Sequence, residues 1–167
     1  LFHGLLEGQL EGLEELAATV ESAENQTLAL FLIIFLNNAI KAVAIVFLGL
    51  LFAFLPVFFV AINGMVLGFL FSTMHGMGEN IVPLIVKGIL PHGIIELPVI
   101  LLASAYGIRL GIDLLKWIVS TGEERKQNKD KLFQLLKLTG SLSIFIVVSL
   151  LVAAIIEATI TPWLLAL

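Results

Sequence analysis

The sequence predicts an all-α protein: a polytopic transmembrane helical bundle with a broken or re-entrant helical segment around residues 81–98. Three observations predict it. Of the 167 residues, 59% are hydrophobic and only 13% charged, which is more apolar surface than one water-soluble domain of this length can hide. Apolar runs recur at lengths near the roughly 20 residues that cross the roughly 30 Å hydrocarbon core. Between residues 81 and 118, Pro83, Pro91 and Pro98 interrupt 38 mostly apolar residues, too many for one simple crossing.

Residues 1–27 hold six glutamates (Glu7, Glu11, Glu14, Glu15, Glu21 and Glu24) and neither Lys nor Arg. Leu6, Leu10, Leu13, Leu16, Ala17 and Val20 recur at helical spacing, so the segment reads as an acidic amphipathic helix outside the membrane. The transmembrane domain follows over residues 28–167, beginning with a span over about 28–55 that is apolar except for Asn37, Asn38 and Lys41. Pro56 marks a turn or kink before a second span over 56–74, and the Gly-rich polar stretch 75–80 is a loop. A half-helix over 81–90 then precedes a third span, 91–118, since Pro suits the first helical position. Arg109, Asp113, Lys116 and Trp117 form its interfacial end. Residues 121–137 carry Arg125, Lys126, Lys129, Lys131 and Lys137 and read as an aqueous connection to a last span over 140–162.

Basic segments stay in the cytoplasm, so 121–137 is expected there and residues 1–27 outside the cell membrane. The opening at Leu1 suggests a trimmed chain from which an N-terminal span is missing. Without cysteine there is no disulfide or thiolate chemistry. A net charge of −4 without a basic face argues against nucleic-acid binding.

An ionisable side chain at the bilayer centre costs roughly 2.5–3.5 kcal/mol on insertion scales, so each needs a partner, a water-filled cavity or a function. Lys41, His92, Glu96 and Glu157 are such groups, and His92 and Glu96 share a helix face because they stand four positions apart. On one reading, His92, Glu96 and Glu157 converge to bind a cation, a divalent metal ion among the candidates, or to pass a proton. On the other, they form a packed ion-pair network in which Lys41 neutralises a carboxylate and Asn37, Asn38 and Asn63 satisfy neighbouring helices. Gly64 and Gly68, like Gly107 and Gly111, have the four-residue spacing that lets helix backbones approach, within a bundle or across a homodimer. A hydrolase is disfavoured: His92 and Glu96 lack the His-Glu-x-x-His pattern, and Ser104 and Ser149 have no base nearby in sequence.

The stretches Phe35-Leu-Asn-Asn38, Asn63-Gly64, Leu90-Pro-His-Gly-Ile-Ile-Glu-Leu-Pro98, Ile156-Glu157-Ala158 and Thr161-Pro162 together resemble the stage II sporulation protein M (SpoIIM) family over residues 30–162. The Pro-His-Gly-x-x-Glu-Leu-Pro stretch is the most specific part. The resemblance implies a polytopic inner-membrane protein, usually with one more N-terminal span than is visible here. It also implies a scaffold: in endospore formers the family member belongs to a peptidoglycan-remodelling complex at the engulfing septum. The family motif maps onto Asn37, Asn38, Asn63, His92, Glu96 and Glu157. The expected function is therefore a non-enzymatic membrane scaffold, a homodimer in the lipid bilayer with cell-envelope-remodelling proteins as partners. The alternative is a channel or transporter moving a proton, cation or small polar solute past His92, Glu96 and Glu157.

Overall fold

The computed structural model describes residue 12, residues 18–78 and residues 80–167. Most of the expected acidic helix over 1–27 lies outside these residues; within them, 18–21 are helical and 22–25 form a turn and bend. Four helices follow that are long and apolar enough to cross a membrane: α1 (Gln26–Leu51), α2 (Leu55–Gly76), α3 (Ile81–Val119) and α4 (Gly122–Leu165). The described residues contain no strand.

Each helix begins where local chemistry allows it. Asn25 caps α1 by accepting a 3.0 Å hydrogen bond from the Leu28 amide, and Asn80 caps α3 by accepting one of 3.0 Å from Val82. Pro56 sits in the first turn of α2, where no intrahelical N–H is needed. Gly122, at φ +58°, makes the left-handed step that turns the chain from α3 into α4, with Glu123 and Glu124 favourably placed in the new first turn.

Two expectations change at this level. The half-helix over 81–90 and the span from Pro91 are one continuous helix, and the irregularity is a π-helical segment over Leu84–Ile89. The Leu90 amide bonds back to the Ile85 carbonyl, five residues earlier. Pro91 lacks an N–H and its ring would press on the Lys87 carbonyl, so a wider turn ahead of it relieves the clash without breaking the helix. The basic stretch 121–137 is likewise no loop but the first part of the 44-residue α4. At 1.5 Å per residue that helix is about 66 Å long, roughly twice the hydrocarbon thickness. Its basic part bends no further because Asn128, Leu132 and Thr139 point inward at helical spacing and pack against α3.

Helices α1, α3 and α4 form the core, with Ala42 and Val46 meeting Val99, Ala103 and Leu110 and, from α4, Leu132, Ile146 and Leu150. The closest approach is between α1 and α3. A Cβ on Gly107 would lie 2.8 Å from the Ile45 carbonyl oxygen, and one on Gly111 would lie 2.9 Å from Ala53 Cβ. Gly107 and Gly111 thus take the packing role expected of them, with Gly49 on α1 as the facing residue. Gly64 and Gly68 do not: nothing lies within 4 Å of a Cβ at either position. Helix α2 is peripheral, with Pro56 its one buried residue.

Polar groups tie the far end of α3 to α4: Tyr106 Oη donates to the Leu135 carbonyl at 2.5 Å, and Asn128 Nδ2 donates at 3.3 Å to Ser120 Oγ, just past α3. Within α3, Arg109 Nε donates to Asp113 at 3.0 Å. Asp113 is only 3% exposed, so the expected interfacial end of α3 is in part an interior join. Replacing Tyr106 by Phe removes the donor while keeping the ring. The expected loss is about 1 kcal/mol of stability, measured as a lower melting temperature in detergent.

Candidate functional site

Two helices carry the ionisable groups and a third faces them. His92 and Glu96 lie one turn apart on α3, just past the π-helical segment, and π-bulges often sit at functional sites. Glu157 comes from α4, eight residues before its last residue, Leu165. Because α3 enters and α4 leaves at the same end of the bundle, these distant residues reach one depth, about 12–22 Å from the helix ends.

His92 Nε2 stands 3.8 Å from Glu157 Oε2, with the two side chains 13% and 27% exposed. One ligating atom each from His92, Glu96 and Glu157 can be chosen so that all lie within 4.8 Å of one another. The convergence expected from the sequence therefore occurs. The separation is too long for a hydrogen bond, and His92 Nδ1 is buried without a protein partner. A buried imidazole with no hydrogen bond to either nitrogen is unusual, since buried polar groups are as a rule paired.

The cluster opens into a cavity of about 540 Å³, lined on the α1 side by Asn37 and Asn38 and also by Val20 and Glu21. Glu21 was not singled out by the sequence, where it is one of six similar glutamates; only its place in the cavity lining distinguishes it. Lys41 is exposed on α1, and among the described residues it makes no ion pair within 4.0 Å, so the expected neutralising bridge is not formed. Asn63 stands apart on exposed α2, where Nδ2 donates to the Phe59 carbonyl of its own helix at 2.8 Å. Among the described residues its expected contact across helices is not made. Below the cluster, towards Trp117, the bundle is filled by Val46, Leu110, Ile146 and Leu150, and α1 and α3 touch through Gly49, Gly107 and Gly111.

The profile of a family described as stage II sporulation protein M matches residues 4–162. The chain belongs to that family. The match takes in all four long helices almost entirely, so the polar cluster lies wholly within what defines a stage II sporulation protein M. No match was found among curated proteins or among solved structures. Family membership and four membrane-length apolar helices make this stage II sporulation protein M chain a membrane protein.

Chemically, the arrangement offers one imidazole and two carboxylates at the edge of a polar cavity, with amide oxygens opposite. Such a set can hold a cation or share a proton. Among the described residues no Ser, Thr or Tyr lines the cavity with them, which leaves no hydroxyl nucleophile in place.

Proposed function

We propose that this protein is a non-enzymatic assembly protein of the cell (inner) membrane that works as a homodimer and brings cell-envelope-remodelling partners together. The observation that carries this reading is α2. A 22-residue apolar helix buries a single residue, Pro56, against its own chain and leaves Gly64 and Gly68 open. Helices α1, α3 and α4 already pack into a complete core without it. Small residues four apart let a second helix approach to backbone distance, where van der Waals contact drives association in lipid. A second copy of α2 is the occupant we assign to that face.

The orientation belongs to the same proposal: residues 1–27 outside, and the exposed basic groups Arg125, Lys126, Lys129 and Lys131 in the cytoplasm. The cavity then opens towards the outer face. The competing transporter reading draws on that cavity, but a solute leaving it would meet the close-packed glycine contact and the fully buried aliphatic layer beneath. A through-path needs α1 and α3 to separate.

The test is the oligomeric state of the full chain in lipid nanodiscs or native membranes, read by cross-linking. Gly64→Leu combined with Gly68→Leu should reduce the dimer about tenfold, equivalent to about 1.4 kcal/mol. The same variant should melt no lower than the parent once monomeric, because neither position has a neighbour within 4 Å and leucine is the better helix former. A parent chain that runs as a monomer at all concentrations, or a dimer indifferent to both leucines, would remove this reading. Proton or cation flux through reconstituted parent protein would replace it with the transporter.

A further inference from the structure

The ionisable cluster makes an argument that does not depend on α2 or on dimerisation. We infer that His92, Glu96 and Glu157 form a binding site for one divalent transition-metal cation, of the Zn²⁺ or Mn²⁺ class, which clamps α3 to α4 beneath the outer rim of the bundle.

Geometry comes first. Ligand atoms about 2.1 Å from a tetrahedral zinc ion stand about 3.4 Å from each other. The 3.8 Å between His92 Nε2 and Glu157 Oε2 is near that separation and beyond a hydrogen bond. The third ligand atom, from Glu96, lies in the same 4.8 Å group, so small side-chain adjustments would bring all three to one ion. The ligands come from two different helices, which distinguishes the group from a chance run of acidic residues along one helix face.

Charge is the second argument. Two carboxylates this close repel each other unless one takes up a proton or a cation stands between them, and low surrounding dielectric strengthens the repulsion. Lys41 acts on Glu96 only from beyond ion-pair distance, with no pair within 4.0 Å among the described residues. A divalent cation with two carboxylates and one neutral imidazole has a net charge of zero, the state that is least costly to hold at membrane depth.

The third argument is the imidazole itself, partly buried with no hydrogen bond from protein to either nitrogen. Metal ligation gives this imidazole a partner for one of its nitrogens. Asn37 and Asn38 line the same cavity and bring amide oxygens, the ligand type an oxygen-preferring ion takes. One nitrogen with oxygen ligands and no sulfur selects against Cu(I) and fits Zn²⁺, Mn²⁺ or Fe²⁺.

The deciding experiment uses Co²⁺ as a coloured probe on the full chain purified in detergent after chelation. It is made in a His3→Gln, His75→Gln background, so that His92 is the one histidine left. The expected result is saturable uptake of one Co²⁺ per chain, with visible d–d bands that Zn²⁺ abolishes by displacement. Glu157→Gln and His92→Gln should each weaken binding by about 100-fold. Folded background protein that takes up no stoichiometric Co²⁺ overturns the inference even if the His92 and Glu157 variants cannot be purified. Uptake that survives both Glu157→Gln and Glu96→Gln overturns it as well. The dimer test can fail without affecting this result, and the reverse also holds.

Discussion

Gly107→Val should destabilise the bundle more than any other single substitution considered, by about 3 kcal/mol or more. A Cβ at this position would sit 2.8 Å from the Ile45 carbonyl oxygen and 3.1 Å from that of Val46. Both are backbone atoms of α1 and cannot rotate aside as a side-chain end would. The added isopropyl group therefore forces α1 away from α3, and the contacts of Ala42, Val46, Ala103 and Leu110 loosen together. The measurement is the melting temperature in detergent, followed by tryptophan fluorescence, alongside size-exclusion behaviour. Gly64→Ala is the informative comparison: it meets no neighbour within 4 Å and gains up to about 1 kcal/mol of helix propensity, so its expected effect has the opposite sign. If Gly107→Val melts with the parent, the close contact between α1 and α3 is not part of the folded protein.

Breaking the pair between His92 and Glu157 should have the next largest effect, and its pattern matters more than its size. With Zn²⁺ bound, Glu157→Leu alone removes a ligand and leaves the ion under-coordinated, for an expected loss of about 2–4 kcal/mol; with chelator the loss should be smaller, since the 3.8 Å contact is no hydrogen bond. His92→Leu alone leaves two carboxylates together and should cost about as much. The double variant should lose less than the sum, by about 1–3 kcal/mol, because neither side chain then lacks its partner. The cycle is best measured twice, with chelator and with saturating Zn²⁺. A coupling that grows with Zn²⁺ belongs to a metal site, and one unchanged by Zn²⁺ belongs to structural packing. Strict additivity in both conditions would mean that the two residues do not act as a unit.

Several parts of the fold were legible because they depend on neighbours in sequence. The start of α2 at Pro56 and the shared face of His92 and Glu96 follow from local geometry; the caps at Asn25 and Asn80 are equally local but were not singled out. Pro91 announced an irregularity, but the same missing N–H can end a helix or widen one turn of it. The π-helical segment is the second solution, and it is available because residues 84–89 continue to pack as helix against α4. The basic stretch 121–137 reads as an aqueous connection because its charges outnumber its inward residues, and its helical form was not anticipated. Asn128 and Leu132 were the helical signal, and they count only once α3 is known to lie beside them. Gly49 was overlooked for a related reason: a single glycine in an apolar run has no meaning until Gly107 and Gly111 are placed opposite it.

By itself, the sequence determined that lipid is the main solvent and that four apolar stretches are long enough to cross it, and it singled out the ionisable groups within them. Those conclusions rest on composition, periodicity and the cost of placing charge in hydrocarbon, all of which are properties of short stretches of chain. Only the tertiary structure decided that Glu157 joins His92 and Glu96, that Glu21 lines the same cavity, and that Lys41 forms no close ion pair with them. The physical reason is that a helix sets the angular phase of its own side chains but not which neighbouring helix that face will meet. Here that choice is made away from the site, where Val99, Ala103 and Leu110 of α3 pack with Leu132, Ile146 and Leu150 of α4, and where Gly49, Gly107 and Gly111 let α1 close against α3.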